Sequence, residues 1–187
     1  MRSCHCTPAC QYAPFFSELW HKIRNGESLT YSWDIGMGTN FTSLFAYYLA
    51  SPSNWFVALF PQKYTIEIMN AFIILKIAGS SLSLTYYLTK HNNNKHVIAA
   101  IFGMFYGMSG FIAAYSWNIM WLDCVILVPL IMLGLERLVN ENRCIFYCIT
   151  LGLCIFTNYY IAIMVCLSVV IYYVVLMIAY NGIKSPM

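Results

Sequence analysis

Long apolar runs alternate with short polar gaps over the last two thirds of this chain. Ile66–Leu88 is apolar apart from Glu67, Asn70, Lys76 and a few serines, and the gap "TKHNNNKH" closes it. Val97–Ser116 and Leu122–Leu138 follow, then the turn "VNENR", the shorter run Cys144–Thr157, the interruption "TNYY" and a last run from Tyr160 to Tyr180. About 20 helical residues cross a hydrocarbon core of about 30 Å, so these runs predict about five transmembrane helices, the fourth one short. Ahead of them the pattern changes. In "PFFSELWHKIRNGESLTY" Phe15, Phe16, Leu19, Trp20 and Ile23 recur at helical spacing between Pro14 and Gly26. That spacing predicts an amphipathic helix of about three turns with its aromatic face in the membrane interface.

"SWDIGMGTNF" has the chemistry of a tight loop, with Gly36 and Gly38 beside Asp34. Residues 41–61 are apolar enough to span, but "SPSN" interrupts them halfway. Pro52 removes a backbone donor and restricts its neighbour, so two short helices in or dipping into the interface fit better than one span. The expected division is an extracytoplasmic or interfacial region over 1–65 and a transmembrane bundle over 66–187.

Composition strengthens this reading. The chain has 187 residues, 60% of them hydrophobic and 9% charged, where a soluble domain carries about 25% charged residues. The fold class expected is an all-α, multi-pass membrane protein in contact with lipids. A net charge of +3 is too small to suggest a nucleic-acid partner. Lys90, Lys95, Arg137, Arg143 and Lys184 fall on one side of five spans, which the positive-inside bias makes cytoplasmic. The opposite side receives "WNIMWLD", "TNYY" and the first section. Of eight cysteines, Cys124, Cys144, Cys148, Cys154 and Cys166 lie in apolar runs and act as small hydrophobes. Cys4, Cys6 and Cys10 share "CHCTPAC" with His5, a cluster that suits zinc or a disulfide but lacks the spacing of a zinc finger.

Candidate chemistry gathers at helix mouths. Trp117, Asn118, Trp121 and Asp123 stand at the start of the third span, with the two tryptophans four apart on one expected helical face. Interfacial anchoring explains the indoles. A polar, aromatic-lined pocket for a sugar explains the whole group. Asp34, next to Trp33, is placed to act as a base toward a hydroxyl acceptor or to hold a divalent cation beside a phosphate. Asn40, Asn158, Tyr159 and Tyr160 supply neutral hydrogen-bonding groups to the same cleft. Lys76 lies near the middle of its span and cannot face lipid favourably. Lining a cavity, pairing outside this stretch of chain and binding a lipid phosphate are its options, and Glu67 is on the wrong face to pair with it. Gly103 and Gly107 make a close-packing face. No metal-protease, triad, nucleotide-loop or haem motif occurs.

Three stretches in order, "QYAPFFSELWHKIRNGESLTYSWDIGMGTNFTSLFAYYLASPSNWFVALFP", "GMSGFIAAYSWNIMWLDCVILVPLIMLGLERL" and "FTNYYIAIMVC", resemble the bacterial YfhO family of polytopic membrane proteins. The resemblance covers nearly the whole chain from Gln11 and implies the amino-terminal part of a longer protein of the GT-C glycosyltransferase type. It implies a polyprenyl-phosphate sugar donor, an acceptor such as teichoic or lipoteichoic acid in the cell envelope, and residence in the bacterial cell membrane. It also implies an aspartate ahead of "QYAPF" after a first transmembrane helix, a place that here reads "HCTPAC". Asp34 and Asp123 match other family positions and are the carboxylates carried over as catalytic candidates. Transport of a lipid or polymer, turning on Lys76 and the broken 41–61 segment, is the alternative function. A non-enzymatic membrane subunit is the third.

Overall fold

The computed structural model describes residues 7–35, 37–92 and 96–184. Cys4, His5, Cys6, Gly36, Lys95 and the side chains of Cys10 and Lys184 lie outside the described residues. Helix α1, Thr7–Asn25, starts ahead of Pro14, which therefore lies inside it. Gly26 closes α1 at φ +67, with Glu27 N–H donating to the Lys22 carbonyl at 3.0 Å. A left-handed residue after the helix lets the next N–H reach back in this way, and glycine adopts it without a Cβ penalty. A two-stranded hairpin follows, β1 Tyr31–Ser32 paired with β2 Thr39–Asn40. Gly38, at φ +96, packs where a Cβ would run into the Tyr31 ring.

Residues 41–61 form no continuous helix. Helix α2, Phe41–Leu44, runs into a π turn at Phe45–Leu49, and a 3-10 stretch covers Pro52–Leu59. The break falls at Ser51–Pro52, where the proline cannot continue the ladder. Together with α1 these turns enclose a core of Phe16, Leu19, Phe41, Leu49, Met69 and Ile119. The apolar face of α1 is thus covered by protein and not by the membrane interface: Phe16 and Leu19 are fully buried.

Five long or medium helical units follow. They are α3 Thr65–His91, α4 His96–Gly107 continued by α5 Gly110–Tyr115, α6 Ile119–Glu141, α7 Ile145–Thr157 and α8 Tyr159–Lys184. Four of these units are long and apolar enough to cross a membrane, and α7 is shorter. The expected single span over Val97–Ser116 is broken at Met108–Ser109, between two poor helix formers, Gly107 and Gly110. Helix α6 is the central one. Of its most apolar window 56% is buried, against 17–22% for the other three spans, and it packs on α3, α7 and α8.

Specific residues allow these close packings. Gly103 and Gly107 let α4 lie on α3, where a Cβ would meet Thr85 and Ser81. Thr85 and Ser81 return their hydroxyls to carbonyls of α3 itself, at 2.8 and 3.3 Å, and need no outside partner. Gly134 gives the same access to the Tyr147 backbone of α7. Pro129 inside α6 has no N–H for the Val125 carbonyl four residues back, and Tyr106 Oη of α4 donates to that carbonyl at 2.9 Å. Cys124, Ile131, Leu135, Cys154, Ala162, Val165 and Val169 fill the second core between α6, α7 and α8. Cys144, at the cap position of α7, and Cys148 are exposed.

Candidate functional site

Chain direction puts the starts of α3, α6 and α8 at one end of the bundle, together with residues 7–64. We call this the upper end, and the α3–α4 and α6–α7 connections mark the lower end. Ile35 and Trp117 pack on the same core cluster, and the Tyr47 and Tyr159 rings lie 5.8 Å apart. The hairpin, the start of α6 and the start of α8 therefore meet at the upper end.

The hairpin is held to α1 by a charged hub. Lys22, only 4% exposed, donates to the Ser28 and Tyr31 carbonyls at 3.1 and 3.0 Å. Its ammonium lies 3.6 Å from Glu18, 3.8 Å from Glu27 and over the Phe41 ring. Ser32 Oγ donates to Glu18 Oε1 at 2.6 Å and accepts from Asp34 N–H at 3.2 Å. Glu18, Lys22, Glu27, Ser32, Trp33 and Asp34 line a cavity of about 190 Å³. Trp33 is 77% exposed and meets Tyr31 edge-on at 4.9 Å. Asp34 is exposed and has no ion-pair partner among the described residues.

Asp123 is in a different setting. Lys76 Nζ lies 2.7 Å from its Oδ2 and donates to the Ile119 carbonyl at 3.2 Å. The lysine left without an evident partner in the sequence has one within the chain, 47 residues away on the antiparallel α6. Trp117 and Trp121 do not share a helical face. Trp117 precedes α6 and donates to the Ala114 carbonyl at 3.0 Å, whereas Trp121 lies within the helix and packs on Tyr115 at 5.5 Å. The buried Trp121 Nε1 has no hydrogen-bond partner among the described residues. Asn118, also buried, stands at the cap position of α6.

The remaining polar candidates secure chain ends. Asn158 is fully buried. Its Oδ1 accepts from Ile161 N–H at 2.9 Å, capping α8, and its Nδ2 donates to the Tyr47 carbonyl at 3.3 Å. Asn40 caps α2 by accepting from Thr42 N–H at 3.0 Å. Tyr159 and Tyr160 are about half exposed beside Tyr47. Burial first, and then the neighbouring phenols of Tyr48, Tyr159 and Tyr160, push the Tyr47 phenol above its ordinary value.

Three features went unread in the sequence. Glu18 joins the hairpin cavity, and its only signal was the Glu18–Lys22 spacing of four. Asn54 is fully buried, and neither side-chain amide atom has a partner among the described residues. Glu136, in the lower half of α6, gathers partners from α3 and α8. Among the described residues no three His, Cys, Asp or Glu side chains are grouped to hold a metal ion.

No curated protein and no solved structure matches this chain. A family model described as bacterial membrane protein YfhO matches residues 9–186. With nearly its full length matched and four helices fit to cross a membrane, the chain belongs to the YfhO family of bacterial membrane proteins.

Proposed function

We propose that this protein takes part in moving a sugar from a polyprenyl-phosphate donor to a cell-envelope polymer such as teichoic acid, at the upper end of the bundle. On this reading the upper end faces outward and the lower end, with Lys90, Arg137 and Arg143, faces the cytoplasm. The observation that carries the proposal is Asp34: a carboxylate without an ion pair, at the rim of a cavity, next to an exposed indole. Trp33 offers a flat apolar face for a sugar ring, and Glu18 and Ser32 offer hydrogen bonds to its hydroxyls. Asp34 takes the proton of the attacking acceptor hydroxyl while the new bond forms to the anomeric carbon. The bond from that carbon to the phosphate oxygen breaks, and the polyprenyl phosphate leaves with the electron pair. A divalent cation bound beside Asp34 would need phosphate oxygens of the donor among its ligands, since the side chains alone do not assemble a site.

Asp123 is the weaker candidate of the two, because the Lys76 ammonium already occupies its carboxylate. The same pair removes the uncompensated charge on which a transport reading would turn.

The test uses membranes containing the full chain, a labelled polyprenyl-phosphate sugar and envelope polymer as acceptor. Asp34→Asn is expected to lower transfer by about 100-fold or more, the scale of a lost general base, while the thermal midpoint stays in place. Absence of transfer by the parent, or equal transfer by the variant, would overturn the proposal.

A further inference from the structure

At the lower end Glu136, 8% exposed, is enclosed by hydrogen-bond donors from two other helices. The Tyr87 hydroxyl of α3 donates to Oε1 at 2.8 Å and the Tyr172 hydroxyl of α8 at 2.5 Å. His91 Nδ1 lies 3.1 Å from either carboxylate oxygen. One carboxylate thus ties α3, α6 and α8 together where they leave the apolar region.

Beside it opens a cavity of about 430 Å³, walled by Lys90, His91, Glu136, Arg137, Leu133 and Leu176. Because phenols and an imidazole satisfy Glu136, the two cations are uncommitted. Lys90 rests over the Tyr86 ring and Arg137 over the Phe146 ring, and neither forms an ion pair among the described residues. Glu141, on the same wall, is 3.7 Å from Arg143. The cavity therefore offers two cations against an apolar edge, at the end of a bundle in a membrane. Basic pockets of this kind between transmembrane helices suit lipid phosphates.

We propose that this cavity binds the phosphate of an anionic glycerophospholipid. Lys90 and Arg137 take the phosphate oxygens, and Leu133 and Leu176 take the first carbons of an acyl chain. Glu136 is a positioning residue that keeps α3 and α8 at the spacing the headgroup needs.

The experiment measures equilibrium retention of labelled dioctanoyl phosphatidylglycerol by the purified full chain in neutral detergent. The parent is expected to bind saturably. Lys90→Gln with Arg137→Gln should weaken binding by about tenfold or more, since both phosphate partners are lost. Leu176→Trp should weaken it by filling the cavity with charge unchanged. The double variant removes two ring contacts but no ion pair among the described residues, so its thermal midpoint should stay close to the parent's. Unchanged retention by the double variant, or equal retention of phosphate-free dioctanoylglycerol, would overturn the proposal. Displacement by inorganic phosphate at the same concentration would overturn the lipid assignment and leave a site for a free phosphate.

Discussion

Helix α6 carries a largely buried carboxylate in each half, Asp123 and Glu136, and the two are satisfied in different ways. Asp123, near the upper end, meets a cation, the buried ammonium of Lys76. Glu136, near the lower end, meets two phenols and an imidazole. An ion pair cancels both charges and leaves little for a ligand. Phenol donors satisfy a carboxylate while leaving the nearby Lys90 and Arg137 available. That difference gives the Lys76–Asp123 pair structural work, and it leaves Asp34 above and Lys90 and Arg137 below for the ligand chemistry proposed here.

The sharpest way to break the contrast is at Lys76. Lys76→Met strands a carboxylate in a low-dielectric site and should cost about 3–5 kcal/mol in denaturant unfolding of the detergent-purified protein. Adding Asp123→Leu should restore most of that loss. A loss under about 1 kcal/mol for the single variant would mean that the pair is solvated. Glu136 should respond less and discriminate by shape. Glu136→Leu removes the shared acceptor of the Tyr87 and Tyr172 hydroxyls, which lie 3.1 Å apart, so that only one of them can still donate to the other. It should cost about 2 kcal/mol, whereas Glu136→Gln, which still accepts, should cost about 1 kcal/mol. Equal losses for the two would show that charge and not hydrogen bonding holds this end.

Tyr106→Phe removes the hydroxyl that donates to the Val125 carbonyl left open by Pro129. About 1–2 kcal/mol should be lost, read from the same unfolding curves, and Tyr106→Phe combined with Pro129→Ala should lose less. Asn54→Leu should have the smallest effect. It replaces a buried amide with no partner among the described residues by an apolar group of similar size, so the thermal midpoint should hold or rise. A clear fall would reveal a partner bound at Asn54.

The spans were legible because apolar runs of that length have few alternatives in a chain with so few charges. The broken 41–61 segment was legible because Pro52 forbids one specific backbone arrangement. Other features depend on what lies opposite, which periodicity does not encode. The apolar spacing of Phe16 and Leu19 announces a face to be covered but not whether lipid or protein covers it. Phe41, Met69 and Ile119, from three distant parts of the chain, cover it. The Lys76–Asp123 pair needs the rotation and register of two antiparallel helices, fixed by side chains that the local pattern does not connect. Trp117 was misplaced by two residues of helix boundary, enough to take it off the face of Trp121. At the proposed site, Trp33 and Asp34 were readable from an aromatic next to an acid in a glycine turn. Glu18 was not, because its role depends on the hairpin folding back onto α1.

The hydrogen bond from Asn158 to the Tyr47 carbonyl joins positions 111 residues apart. A ribosome adding about 5–20 residues per second needs on the order of ten seconds between making the acceptor and making the donor. The π turn therefore gains this partner only after α3 to α7 have been made. Its closure is a late event in biogenesis, and a nascent chain halted before Asn158 would expose the Tyr47 turn to any protease on that side.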